Sequence, residues 1–338
     1  MVGLLQIFSK KSISVAMFTA LCAVGTSSAI SKTLELRYAH MNSPNSIAGI
    51  QAQMFADKVK EYTDGQVVIK VYPSSQLGKM QEMAEATSTG VIAISHNTAG
   101  GTGSLHEPFA ALDTPYIYRD VDHLMRVTDK DSEVMQTLSE GLIKDAGVRA
   151  LYAYYFGTRN LTTNKAVFKP KDLSSHKIRA LPFPIYMTAV EALGAVPVPV
   201  DWSEVPTALA TGQVSGQENP VDVVLSSKLY ESQSHLIMTN HIINPQVIIM
   251  NERVWQKLSD EQKEAFEKAA DETRTKATEM VKSQEAEQLA ELKELGMNVI
   301  DTDNGLDIDS FRERAKALVD ERFNDKFGEI YSNIAEIN

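Results

Sequence analysis

The sequence predicts a two-domain α/β fold with one long helix that reaches across both domains, and three observations lead to this prediction. Residues 34–71 follow the order strand, helix, strand. A second alternation of strands and helices begins near residue 177. A helical pattern of about 35 residues begins after Ser259, which exceeds the usual length of a globular helix. Because no flexible linker separates the two α/β patterns, we expect several chain crossings between the domains.

The N-terminus has the pattern of a cleaved secretory signal peptide, which predicts a periplasmic protein. Lys10 and Lys11 supply positive charge, residues 12–25 are apolar but short for a membrane span, and Ala29 ends a run of small residues. The alternative is an uncleaved anchor or a buried helix. Cleavage after Ala29 changes the formal charge from −11 to −13 and removes Cys22, the only cysteine, so neither disulfides nor thiol chemistry are expected in the mature chain.

The first α/β pattern begins directly after this segment. Its apolar periodicity predicts strands at residues 34–38 and 67–71, a helix from residue 47 to 59, a second helix at 81–88 and a short buried strand at 91–94. A further apolar strand is predicted at residues 148–156. Because ligands of open α/β sheets lie beyond the carboxyl ends of strands, residues 39–45, 95–97 and 157–160 become candidate site loops.

The second α/β pattern occupies residues 177–219. It predicts strands or extended segments at 177–181, 197–200 and 214–219, and helices at 185–193 and 205–211. Ser259 and Gln262 then form a capping-box signature at the start of the long helix, and Gly296 ends it. No later segment is apolar for about 18 residues, so no membrane insertion of the mature chain is expected.

Charge and motifs exclude several classes of function. A net charge of −11 argues against nucleic acid or an anionic membrane as a partner. The sequence has no dinucleotide-binding fingerprint, phosphate-binding loop or nucleophile elbow, and the glycine-rich residues 100–103 are interpreted as a turn. His235 and His241 are too isolated to suggest a metal site. We therefore expect no catalytic residues, no metal and no cofactor.

Two arginines stand out as candidate binding residues. Arg159 follows the strand at 148–156, and Arg179 lies inside the apolar strand at 177–181. A guanidinium offers two parallel N–H donors that match the two oxygens of a carboxylate. Taken alone, each arginine is better explained by an ordinary salt bridge than by ligand binding, and Trp202 by a place in the core.

Residues 172–220, which read DLSSHKIRALPFPIYMTAVEALGAVPVPVDWSEVPTALATGQVSGQENP, resemble a known family. They are similar to the signature region of solute-binding subunits of TRAP (tripartite ATP-independent periplasmic) transporters, in the dicarboxylate-binding-protein-like (P-type) family. The segments 72–78, 157–164, 228–231 and 239–241 extend the likeness over almost the whole mature chain. Ser215 and Pro206 depart from the family pattern, which has aspartate and tyrosine there.

The resemblance implies two α/β domains around a ligand cleft, a shared long helix, and delivery of the ligand to membrane permease subunits. By this resemblance, Arg179 pairs with the ligand carboxylate and Asn219 hydrogen-bonds the same group. Arg159 matches a second binding-site arginine of many family members, and Trp202 lies against the ligand. We expect a signal peptide at 1–29, domain I at 30–156 plus 245–284, and domain II at 157–244 plus 285–338.

The rest of the ligand is expected to meet neutral side chains from the opposite domain. These candidates are His40, Asn45, His96, Asn97 and Gln246. Neutral donors and acceptors suit hydroxyl groups, which favours a hydroxylated or sugar acid. A C4-dicarboxylate or another organic acid remains the alternative ligand, and a ligand-presenting sensor or a periplasmic enzyme remains the alternative role.

Overall fold

A computed structural model describes residues 33–338, so the predicted signal peptide lies outside the described residues. The strands are β1 Leu34–Ala39, β2 Val67–Tyr72, β3 Ile94–Thr98, β4 Val148–Thr163, β5 Lys177–Ala180, β6 Val196–Pro199, β7 Gly216–Asn219, β8 His235–Asn251 and β9 Asn298–Ile300. The helices are α1 Ile47–Tyr62, α2 Met80–Thr89, α3 Ala99–Thr102, α4 Val121–Val127, α5 Glu133–Ala146, α6 Pro184–Ala192, α7 Val205–Ala210, α8 Val221–Ser226, α9 Glu252–Trp255, α10 Asp260–Glu294 and α11 Ile308–Glu336.

The strands form a continuous sheet in the order β2-β1-β3-β8-β4-β7-β5-β6, and β9 pairs with β8. Strands β2, β1 and β3 are parallel and form the first sheet half, while β7, β5 and β6 are parallel and form the second sheet half. The two halves are joined by β4 and β8, which pair antiparallel along most of their length. Two parallel α/β units therefore share two long central strands, β4 and β8.

Strand β4 passes from the first sheet half into the second through an irregular stretch. The pairing of β4 with β8 shifts register between Tyr155 and Gly157 and again between Arg159 and Leu161. Gly157 has a φ of +127°, and a Cβ there would lie 2.6 Å from the Cβ of Pro220. Only glycine fits this backbone without strain, because L side chains avoid that conformation. The bend allows one strand to serve both sheet halves.

The long helix α10 also spans both halves, as the sequence predicts. The helix is capped by Ser259, whose hydroxyl accepts from the backbone N–H of Gln262, and the side-chain oxygen of Gln262 accepts from the backbone N–H of Ser259. Phe266 packs in the core of the first half, while Leu292 packs in a core cluster with residues of α7 and α8. A second long helix, α11, which the sequence did not single out, likewise runs from the second half back to the first.

The structure confirms most predicted elements and corrects three. The strand expected at 91–94 begins at Ile94, because Val91 is exposed and the hydrogen-bonded ladder to β8 runs through residues 94–98. Residues 95–97 and 157–160, expected as loops, therefore lie inside β3 and β4. Of the glycine-rich residues 100–103, interpreted as a turn, residues 100–102 belong to the short helix α3. By contacts, residues 33–338 form one compact unit, so the domain limits stay a prediction.

Candidate ligand-binding site

A small cavity lies between the two sheet halves, at the carboxyl ends of their parallel strands. Its polar lining consists of Asn42, Thr98, Arg159, Arg179, Asn219 and Gln246. The cavity volume is about 20 Å³, which accommodates about one water molecule. A ligand larger than this requires the two halves to separate and close around it. We call this space the arginine cavity.

Arg179 on β5 brings a buried cation to this cavity. Its side chain is almost fully buried, and its Nε donates to the backbone oxygen of Val200 at 2.9 Å. The guanidinium lies 5.7 Å from the ring centre of Trp202. Within residues 33–338, no acidic side chain forms a salt bridge with Arg179. Burial lowers the pKa of Arg179 to about 10, because the charged form loses its hydration and the nearby carboxylate of Glu218 offsets only part of that loss.

Asn219 and Trp202 are placed beside Arg179 by neighbouring elements. Asn219 is the last residue of β7 and lines the cavity, and its Nδ2 donates to Oε1 of Gln217 at 2.5 Å. An amide nitrogen has two N–H donors, so one donor of Asn219 is left for a ligand. Trp202 follows β6 and also lines the cavity. The sequence-based grouping of Arg179, Asn219 and Trp202 thus corresponds to one cluster in space.

Arg159 lines the same cavity but is neutralised within the protein. Its Nε and Nη2 donate to the two carboxylate oxygens of Glu218 at 2.5 and 2.8 Å, and its Nη1 donates to Asn244 at 3.1 Å. Burial alone would raise the pKa of Glu218, but Arg159 and His241 outweigh burial and lower it to about 2. Because Glu218 takes up the charge of Arg159, this arginine can offer a ligand at most one further N–H.

Sequence reasoning missed the acidic partners of this network. Glu218 lies in the quoted QENP motif, and Nε2 of His241 is 3.1 Å from its Oε2. Asn244 extends the network to Asp113, to which it donates at 2.8 Å, and the hydroxyl of Tyr186 donates to the other oxygen of Asp113 at 2.8 Å. Burial raises the pKa of Asp113 to about 6. The sequence signals were an arginine directly after an apolar strand, Arg159, and an arginine inside one, Arg179; neither pointed to Glu218 or Asp113.

A third cation at the edge of the cavity is also paired. Nζ of Lys79, which precedes α2, lies 2.6 Å from Asp201 and 3.1 Å from Glu204. These acids follow β6, so the ion pairs connect opposite ends of the sheet. Of the cations that line the cavity and its mouth in the described part of the chain, Arg179 alone lacks an acidic partner.

Of the five neutral candidates, one lines the cavity, two are buried near it and two lie elsewhere. His40 and His96 are buried and stacked with ring centres 5.5 Å apart, and Gln246 lines the cavity. Asn97 pairs with Val247 and therefore points to the opposite face of the sheet from His96. Asn45 is exposed and does not line the cavity. The turn after β1 instead presents Asn42, which the sequence did not single out.

A larger cavity, of about 270 Å³, lies elsewhere in the first half, between α5, β4 and α10. It contains Arg149 and Arg274, but Arg149 is paired with Glu252 at 2.7 Å and Arg274 with Asp129 at 3.0 Å. Lys130, the third cation of its lining, is paired with Asp271 at 3.0 Å, so no cation of this cavity is free to hold a ligand carboxylate. We therefore place the site at the smaller arginine cavity.

The described residues also bear on membrane and metal binding. No helix within residues 33–338 combines the length and apolar character needed to cross a bilayer. In the same part of the chain, no three histidine, cysteine, aspartate or glutamate side chains are arranged to hold a metal ion.

Comparison with known proteins supports the resemblance found in the sequence. Residues 38–326 match the model of the family described as bacterial extracellular solute-binding protein, family 7. The sialic acid-binding periplasmic protein SiaP of Vibrio cholerae is 33% identical over 317 residues, covering 94% of this chain and 97% of that protein. The 2,3-diketo-L-gulonate-binding periplasmic protein YiaO of Escherichia coli is 30% identical, covering 86% and 88%.

Solved structures give the same result. A TRAP periplasmic solute-binding protein from Polaromonas, bound to D-erythronate, superposes with a TM-score of 0.83 at 30% identity, covering 90% of this chain and 98% of that one. A second, from Roseobacter denitrificans with bound L-galactonate, has a TM-score of 0.84 at 25% identity, covering 90% and 99%. The fold is thus the two-domain periplasmic binding protein fold, with a cleft between domains and a long helix spanning both. The chain belongs to family 7 of the bacterial extracellular solute-binding proteins, the solute-binding proteins of TRAP transporters.

Proposed function

We propose that this chain captures a small organic carboxylate, preferably a hydroxylated or sugar acid, in the periplasm and delivers it to the membrane subunits of a TRAP transporter without changing it chemically. The observation that carries the proposal is Arg179, a buried guanidinium without an acidic partner in the described residues, at the wall of an interdomain cavity. An unpaired buried charge costs several kcal/mol, which a ligand carboxylate can offset.

The arrangement around Arg179 supports a carboxylate in particular. A guanidinium can donate two parallel N–H bonds to one carboxylate, and the free donor of Asn219 can reach the same group. Closure of the two halves excludes water and strengthens the ion pair. The four relatives described above are named for, or hold, sialic acid, 2,3-diketo-L-gulonate, D-erythronate and L-galactonate, and all four compounds are hydroxylated carboxylic acids.

The test replaces Arg179 by methionine, which keeps an unbranched apolar stem and removes the guanidinium and its charge. Isothermal titration calorimetry against a panel of hydroxylated acids should show affinity at least about 100-fold weaker than for the unmodified chain, because truncating one partner of a buried charge pair costs about 2–5 kcal/mol. Arg312→Met is the matched control, since Arg312 is an exposed helix residue paired with Asp309 three positions earlier. Unchanged affinity in Arg179→Met would reject the proposal.

Location and delivery need separate measurements. The intact mass of protein from a periplasmic extract should correspond to a chain that starts at residue 30. Deletion of the gene should abolish uptake of the acid that binds in calorimetry, and mass spectrometry should recover that acid unchanged after incubation with the protein. Retention in the cytoplasm, normal uptake or conversion of the acid would each contradict the corresponding part of the proposal.

A further inference from the structure

Five buried polar side chains next to the arginine cavity form a cluster that we call the polar floor. Its members are His40, Asn42, His96, Tyr154 and Gln246. They come from the turn after β1 and from strands β3, β4 and β8, and so from the first sheet half and the central strands. Arg179 and Asn219 belong to the second half. The polar floor therefore faces the carboxylate-binding residues across the site.

The strand register places three of these side chains, His96, Tyr154 and Gln246, on one face of the sheet. Thr98, Gln246 and Tyr154 are direct partners across β3, β8 and β4, so their side chains point the same way. His96 lies two residues before Thr98 on the same strand and shares that face. Thr98, Gln246 and the nearby Phe156 line the arginine cavity, and the ring centre of His96 is 6.3 Å from that of Phe156.

The polar floor is unusual because its hydrogen-bonding groups lack protein partners. Both ring nitrogens of His40 and of His96, the hydroxyl of Tyr154, Oδ1 of Asn42 and Oε1 of Gln246 are buried without a hydrogen bond to any described residue. Native proteins pair nearly all such groups, since each buried group left unpaired costs free energy. Their concentration beside one cavity indicates that they serve a ligand.

The chemistry of the cluster determines which part of a ligand it suits. A neutral imidazole carries one donor and one acceptor, and a phenol hydroxyl can do both. The stacked rings of His40 and His96 disfavour a positive charge, and burial lowers the pKa of His40 to about 4 and that of His96 well below its usual value. The polar floor thus offers paired donors and acceptors without a cation. Hydroxyl groups match such a surface, and a second carboxylate does not.

We propose that the polar floor is the subsite for the uncharged, hydroxyl-bearing part of the ligand, so that this chain takes polyhydroxylated monocarboxylates and rejects dicarboxylates. This inference rests on the proposed pairing of the ligand carboxylate with Arg179. The charge balance supports it, because Arg159 is matched by Glu218 and Lys79 by Asp201, which leaves one cation for one carboxylate.

The test uses ligands matched in chain length. The four-carbon set is D-erythronate, butyrate and succinate, and the six-carbon set is L-galactonate, hexanoate and adipate. Calorimetry on the unmodified mature chain should show tighter binding of a hydroxylated member than of the plain acid and the dicarboxylate of the same length, by at least about 100-fold, because a site built to hydrogen-bond hydroxyls rejects analogues that lack them.

Variants of His96 then test whether the polar floor causes the preference for hydroxylated acids. His96→Phe should weaken binding of the hydroxylated acid by about tenfold or more and leave the plain acid within about threefold, while His96→Gln, which keeps a donor and an acceptor, should fall between. His235→Phe is the control, because His235 lies at the far end of β8 and does not line the cavity. Thermal unfolding of each variant reports whether it folds.

Several outcomes would overturn the inference. A dicarboxylate could bind as tightly as the hydroxylated acid of the same length, or neither hydroxylated acid could bind at all. In folded His96→Phe, the affinity for the plain acid could fall as much as the affinity for the hydroxylated acid. If binding in these cases still required Arg179, carboxylate capture would stand and only the polar-floor subsite would fail. If Arg179→Met bound all acids normally, the proposed function itself would fail.

Discussion

Replacement of Arg179 by methionine is expected to stabilise the protein without ligand, although it should weaken ligand binding by at least about 100-fold. The folded chain buries this guanidinium with one backbone acceptor, the oxygen of Val200, and no acidic partner among the described residues. Burial, opposed only partly by Glu218, lowers its pKa from the ordinary 12.5 to about 10. At about 1.4 kcal/mol for each tenfold change in proton affinity, the charged group is about 3 kcal/mol less favourable inside the protein than in water.

The sign and size of the effect follow from this value. A lowered arginine pKa means that the unfolded chain holds the proton more tightly, so at any pH below about 10 the charge destabilises the fold by a constant amount. Methionine removes that penalty but leaves the oxygen of Val200 without its donor, which costs about 1–2 kcal/mol. The net expectation is a free energy of unfolding higher by about 1–2 kcal/mol, or a Tm higher by about 2–5 °C.

Urea unfolding at pH 7, followed by tryptophan fluorescence, measures this quantity with and without the acid identified by calorimetry. Ligand should raise the midpoint of the unmodified chain and leave that of Arg179→Met unchanged, since a ligand stabilises only a state that it binds. A variant destabilised by more than 1 kcal/mol in the absence of ligand would refute the reasoning, because it would show that Arg179 is well compensated within the protein.

Three further predictions concern the strands and the cavity mouth. Gly157→Ala should lower the free energy of unfolding by about 2–4 kcal/mol in urea titrations, against about 1 kcal/mol for Gly212→Ala, because position 157 combines a φ of +127° with the ring of Pro220 2.6 Å from the added Cβ, whereas position 212 has open space. Equal losses of stability in the two variants would contradict this. Burial raises the pKa of Asp113 from an ordinary 3.8 to about 6, so the folded chain binds this proton more tightly than the unfolded chain and the free energy of unfolding falls as the pH rises from about 4 to 6. Asp113→Asn should remove about 3 kcal/mol of that fall in urea titrations at several pH values. An unaltered pH profile in the variant would refute this assignment. Lys79→Met removes the ion pair to Asp201 across the cleft. In stopped-flow traces at low salt it should speed ligand dissociation about two- to tenfold, and this difference between variant and unmodified chain should shrink at 1 M NaCl because salt screens the ion pair. A rate difference that does not depend on salt would count against the ion pair.

The sequence predicted the elements whose periodicity is local. The strand at 34–38, the helix from 47, the capped start of α10 at Ser259 and the second α/β pattern all agree with the structure, because alternation and capping are set by neighbouring residues. Strand β8 was missed, since a strand buried on both faces has no polar alternation to mark it. The strand predicted at 148–156 continues to Thr163, because the backbone bends at Gly157 without leaving the sheet and the apolar run does not mark that continuation.

The sequence by itself determined the fold class and the family, and it grouped Arg179, Asn219 and Trp202, which line one cavity in the structure, because these features depend on residue type and order within one continuous segment. Only the tertiary structure decided which cations are free. Arg159 and Arg179 look alike along the chain, yet pairing across β4 and β7 brings Glu218 onto Arg159 and leaves Arg179 to the cavity. Partners separated by about 60 residues in sequence are joined by strand register, and charge compensation depends on distances that no local pattern encodes.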